Sequence, residues 1–279
     1  MVVADGQPMY APQPSRRTRR HGVTFYDRRM TTDAQPTPAP PATPAPGPSR
    51  EGVADALELL GLVAQLEHTA FVRLAADSAI APTVEQRLAL SRFAAAAVER
   101  RDRVIARIEE LGADAATTLQ PFDDVLDEFD ARTPPSSWWE RLLKAYVGYG
   151  VADDFCRLAA QGLDERSRAV VLDVLDDASH AELAVAELDA AGAQDDALSS
   201  RLALWGRRLV GEALSVVQRL VAQRPGLARL ARAGAEPEAA AADQTVATDV
   251  QASTNVPTKV FGELTAQHTR RMGRLGLTP

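Results

Sequence analysis

The sequence predicts an all-α fold: a bundle of long helices over residues 51–279, behind a disordered Pro/Ala/Arg-rich tail over residues 1–50. Three observations carry this. Apolar residues recur at steps of three and four along several long segments, the spacing of one helical face. Helix starts and stops fall at the ends of those segments, such as Thr83 with Gln86, and Gly112. No segment alternates apolar and polar residues as a half-buried strand would. With aromatics at only 5% of the chain, alanine and leucine must fill most of the core, so the helices can approach closely.

The tail holds ten of the eighteen prolines, and Pro36–Pro48 alternates proline with alanine and threonine. Such a stretch forms neither helix nor core and reads as an extended linker. Brief proteolysis is expected to remove residues 1–50 without loss of the helical circular-dichroism signal; protection of the stretch from Pro36 to Pro48 would contradict the linker reading. Met30 is a second candidate start of translation. Cys156 is the one cysteine. It excludes a disulfide framework and weighs against Cys-based zinc or iron–sulfur sites. It also suits a reducing cytoplasm. No stretch approaches the roughly 18 apolar residues of a membrane helix, and no apolar leader segment is visible. A soluble cytoplasmic protein is expected.

Six long helical segments follow in order. The first covers about Val53–Ser78, with an inward seam of Leu57, Leu60, Ala64, Glu67, Phe71 and Leu74. Pro82-Thr83 starts the second, whose seam is Leu90, Phe93, Ala97, Arg100, Val104, Ile108 and Leu111. A short amphipathic piece, Phe122–Phe129, leads to Thr133-Pro134-Pro135. Ser136 or Ser137 caps the third, with Leu143, Val147, Val151, Asp154 and Leu158 inward. The fourth runs from Asp164-Glu165 to Gly192 through Val170, Val174, Asp177, Ala181, Ala184 and Leu188. The fifth spans Ser199–Gln223, with Leu202, Trp205, Leu209, Glu212, Val216 and Leu220 inward, and stops at Pro225-Gly226. Residues 233–257 lack apolar periodicity and read as a flexible connection. Thr258 caps the last helix, with Phe261, Leu264, His268, Met272 and Leu275 inward.

Charge divides the chain. Residues 51–198 carry 13 basic and 29 acidic groups, whereas 199–232 and 258–279 together carry 11 basic and two acidic. Either the basic C-terminal helices pack on the acidic bundle, or Arg207, Arg208, Arg219, Arg270, Arg271 and Arg274 form a phosphate-binding face. No aromatic residues interleave them as in single-strand RNA binders.

Glu67, Asp154 and Asp177 occupy inward positions on three helices, and His180 follows Asp177 by three residues, on the same side. Buried carboxylates are costly without a partner, and i, i+3 pairs project to one point. A converging set of this kind suggests a cation. The ferritin-like di-iron design uses one Glu from each of two helices and Glu-x-x-His from each of two others. The second helix departs from it. Ala97 and Arg100 stand where Glu and His are needed, and a guanidinium donates no lone pair to a metal. Glu99 and Asp102 are the nearest acids, about 200° off the seam, and become ligands only if the phasing is shifted. Three outcomes stay open: an intact di-iron site, an altered metal site, and a metal-free core in which Arg100 neutralises the carboxylates. Glu212 and His268 form a second candidate pair, as ligands or as a structural hydrogen bond. His68 points away from the seam.

The chain resembles the ferritin-like proteins of high-GC Gram-positive bacteria related to the tRNA 2-methylthio-isopentenyladenosine hydroxylase. The resemblance rests on residues 61–78, LLKAYVGYGVADDF at 142–155 and SHAELAV at 179–185, and most specifically on LALWGRRLVGEALS at 202–215 and QHTRRMGRLGL at 267–277. It implies a ferritin-like four-helix bundle with two additional C-terminal helices. It also implies a di-iron, oxygen-activating oxidoreductase site with Glu67, Asp154, Asp177 and His180 as ligands, and tRNA as partner.

Overall fold

A computed structural model describes residues 49–176, 179–236 and 249–279. The described residues are helical between short turns. Helix α1 spans Arg50–Ile80, its N-terminus capped by the Ser49 side chain accepting from the Gly52 amide. Three residues later α2 (Val84–Glu110) begins with the expected capping box between Thr83 and Gln86. The tight turn makes α1 and α2 an antiparallel hairpin, the most extensive helix pair of the fold. Gly112, at φ 80°, ends it in the left-handed conformation that glycine adopts without strain.

The connection to the other half of the bundle is built from α3 (Ala115–Leu119), a 3₁₀ turn (Gln120–Phe122) and α4 (Asp127–Arg132). Phe122 and Phe129 anchor it in the core. The third long helix is α5 (Trp138–Leu143), a π turn (Lys144–Gly148) and α6 (Tyr149–Ala160), with no break between them. The fourth position holds α7 (Glu165–Leu175) and α8 (Ser179–Gly192). Helices α1, α2, α5–α6 and α7–α8 form the four-helix core. Leu59, Leu60, Val104, Ile108, Leu143, Val147, Val151 and Val174 fill it, each almost wholly removed from water.

The C-terminal part differs from expectation. Among the described residues three helices, not two, cover the bundle: α9 (Asp196–Gln223), α10 (Pro225–Ala235) and α11 (Asp249–Arg274). Pro225 does not merely end α9; it opens α10 at the position where a missing N–H costs nothing. Leu227, Leu230 and Ala231 then bury one face of α10. Near its end Gly234 lies against the Leu158 carbonyl, where any side chain would collide. The last helix begins at Asp249 rather than at Thr258. The fourth segment is two helices, because the chain turns at Asp176.

By length and composition α1 could cross a membrane, contrary to the sequence expectation, yet 50% of its most apolar stretch is buried inside the bundle. It also carries buried Asp55, Glu67 and Asp77. Asp55 is bonded to Arg229, and Asp77 to Arg141 at 2.9 Å. The basic C-terminal helices do pack on the acidic bundle: Arg219 meets Glu128, Arg229 meets Asp55, and Arg271 meets Asp154.

Candidate functional site

A cavity of about 440 Å³ opens between α1, α2, α5–α6, α7–α8 and α11. Its position follows from side-chain size. Ala70, Ala145, Gly150 and Ala181 line it, so the helix backbones leave space between them. Tyr146, in the π turn, and Tyr149, just after it, both line this wall.

Glu67 lies on this wall and is 8% exposed. Arg100 reaches it from α2, with Nε and Nη2 both 2.9 Å from Oε2. Burial nevertheless pushes the Glu67 carboxyl up from 4.5 to about 7, with Arg100 pulling the other way and Asp153 adding to the rise. Helix α2 keeps the face its sequence predicts: Ala97, Val104 and Ile108 are fully buried, Arg100 faces Glu67, and Glu99 and Asp102 are exposed. Asp102 is bonded to Arg101.

Asp153 lines the cavity, whereas Asp154 turns to α11. There the Arg271 guanidinium grips Asp154 as a fork, with Nη1 2.5 Å from Oδ2 and Nη2 2.6 Å from Oδ1. This differs from the expected grouping of Glu67 with Asp154. The helix is enclosed on both sides, so its buried face is wider than one seam. Arg73, Arg157 and Arg271 share the cavity wall with Arg100. Burial raises the Asp153 carboxyl above its ordinary value, against the pull of Arg271.

Gly150 explains how Arg271 enters. A methyl group there would lie 2.7 Å from Nε and 2.8 Å from Cζ of Arg271. Gly150→Ala is expected to displace the guanidinium and destabilise the fold by about 1–3 kcal/mol. Urea denaturation checks this, and an unchanged midpoint would contradict the packing.

His180 stands on the cavity wall with its ring edge-to-face on Phe93, centroids 6.2 Å apart. Asp177 lies outside the described residues. Among the described residues, no three His, Cys, Asp or Glu side chains come together as a metal shell. The donor chemistry also does not fit a ferritin-type di-iron centre. Glu67 and Asp154 each face a guanidinium, and α2 presents Ala97 and Arg100 where the design needs two ligands.

Glu212 and His268 do not form a pair. Glu212 bonds Arg132 at 3.4 Å on the bundle edge. His268 is 3% exposed, and neither ring nitrogen has a partner among the described residues. Burial first, and then Arg271, push its pKa below the ordinary histidine value. His68 lies off the cavity, tilted against Phe71 and near Arg101. The arginines expected to form a basic face are partly consumed: Arg208 donates to the Arg132 carbonyl at 2.6 Å, and Arg219 pairs with Glu128.

The model of the ferritin-like domain of actinomycetes matches residues 49–234. The chain belongs to that family. No curated protein matches it in sequence. The family match covers the four-helix core together with α9 and nearly all of α10. Within this ferritin-like domain, the cavity stands between the core helices, as a metal centre does in the di-iron design, but guanidiniums share it with the carboxylates. Sequence reasoning missed Asp153, Arg73 and the burial of Arg271. Asp153 could have been found as the neighbour of Asp154. Arg271 could not, because its partner is 117 residues away.

Proposed function

We propose that this ferritin-like domain acts without iron, as a helical binding scaffold whose core cavity is framed by guanidinium–carboxylate pairs. The carrying observation is the Arg100–Glu67 contact at 2.9 Å. A charge-assisted bond of this kind engages the carboxylate that a metal would need. Iron analysis of protein purified from iron-supplemented cells tests the reading. No stoichiometric iron is expected, and about two irons per chain, as in the di-iron design, would overturn it. Conversely, Ala97→Glu with Arg100→His supplies the missing Glu-x-x-His and should create iron binding.

A second reading is favoured by Glu67, Asp153 and His180 lining one cavity. In it the protein is a cytoplasmic iron- and oxygen-dependent hydroxylase of tRNA, as the sequence resemblance implies. Stoichiometric iron together with tRNA binding at physiological salt would support it over the scaffold. The first reading is preferred because an arginine at the place of a ligand brings charge and steric bulk where a metal would have to sit.

A further inference from the structure

We propose that the cavity binds a phosphomonoester whose organic part carries hydroxyl or amino donors. The inference rests on the metal-free reading above, in that guanidiniums rather than iron occupy the site. Six arginines line the cavity against three carboxylates. Glu67 holds Arg100 and Asp176 holds Arg157, while Asp154, just behind the wall, holds Arg271. Arg73, Arg270 and Arg274 remain. Arg270 and Arg274 are one turn apart on α11 and exposed, so both stand at the mouth. Arg270 has only a 3.4 Å contact with Glu263, and Arg274 makes no ion pair among the described residues.

Deeper in, the site holds donors without acceptors. Tyr146 is 5% exposed, and its hydroxyl is buried with no hydrogen-bond partner among the described residues. Arg73 Nε is in the same state, while its guanidinium lies 3.9 Å from the centroid of the Tyr149 ring. Buried donors ordinarily find partners. Two orphaned donors in a cationic cavity call for an anionic acceptor, and arginine is suited to phosphate. The cavity-lining carboxylates Glu67 and Asp153 are acceptors, so they suit hydroxyl or amino groups on the organic part. The volume is within the range of small-molecule pockets.

Calorimetric titration of the full chain in low-salt, phosphate-free buffer tests this. The probes are ribose 5-phosphate, adenosine 5′-monophosphate, ribose, adenosine, inorganic phosphate and bulk tRNA. At least one phosphomonoester should bind at least about tenfold more tightly than its unphosphorylated partner and than inorganic phosphate. Preference for one ester separates the sugar-phosphate from the nucleotide source. Arg270→Gln with Arg274→Gln should weaken binding about tenfold or more. Tyr146→Phe should weaken it about tenfold at unchanged melting temperature, since the hydroxyl has no protein partner to lose. The proposal is overturned if neither ester binds at millimolar concentration, if inorganic phosphate matches them, or if tRNA alone binds. These outcomes in iron-free protein sink this inference and leave the scaffold reading standing. Stoichiometric iron sinks the scaffold reading itself.

Discussion

Arg100→Ala is expected to cost about 3–5 kcal/mol near pH 8 and far less near pH 5, the usual penalty for leaving a buried charge without its partner. The pH dependence comes from Glu67. Its carboxyl titrates at about 7 in the folded protein, above the ordinary 4.5, with burial as the main cause. A raised acid binds more protons folded than unfolded. Its contribution to stability is therefore fully present below about 4.5 and is lost as pH rises toward 7. Removing Arg100 takes away the largest influence that lowers this pKa. The loss then extends to higher pH and becomes steeper. Arg73 and Asp153 also act on Glu67, in opposite directions. Below the transition Glu67 is neutral in both proteins, and its share of the cost disappears. Urea denaturation across this pH range reads the difference. Glu67→Gln in the same background should flatten the curve. An equal cost of Arg100→Ala at both ends of the range would show that Arg100 does not act through the Glu67 charge.

The parts of this site that sequence could reach are those fixed by a single strong period. Helix α2 has a capping box at its start and one apolar face, so the sequence places Ala97, Arg100, Val104 and Ile108 in the interior and leaves contact of Arg100 with the inward carboxylates as one of three outcomes; the structure selects Glu67. The third long helix is a different case. Its π turn at Lys144–Gly148 changes the register, and its two sides are covered by the four-helix core and by α11. Two neighbouring acids, Asp153 and Asp154, then both face protein, each against a different partner. A one-seam reading has to choose between them and cannot. Helix α10 is hidden from the sequence for a local reason: Pro225-Gly226 is a stop signal after α9, but proline is equally at home in the first turn of the next helix. On α11 the sequence offers a run of Thr269, Arg270 and Arg271 that looks solvated. Only the distant Asp154 makes one of those arginines a buried group.

That burial sets the last expectation: Arg271→Ala should destabilise the protein by about 3–5 kcal/mol, whereas Arg270→Ala should change it by less than about 0.5 kcal/mol. The Arg271 and Asp154 side chains are 17% and 10% exposed, so the fork sits in a medium that screens little. Loss of the guanidinium strands Asp154 beside Asp153, and the two carboxylates then repel. Arg270 pairs with Glu263 at 3.4 Å on an exposed surface, where such pairs contribute little. Replacing both partners by apolar residues of similar shape, Arg271→Met with Asp154→Leu, should recover most of the loss, because no buried charge is left unpaired. Truncation of residues 258–279 should lower the melting temperature for the same reason, with the burial of Leu264 and Met272 lost in addition. Thermal and urea unfolding of the four proteins separates the two accounts of the basic C-terminus. If α11 chiefly packs on the bundle, stability follows Arg271 and any weak tRNA affinity is indifferent to it. If Arg271→Ala leaves stability intact but abolishes tRNA binding at physiological salt, the helix is a nucleic-acid face and the fork with Asp154 does not hold it in solution.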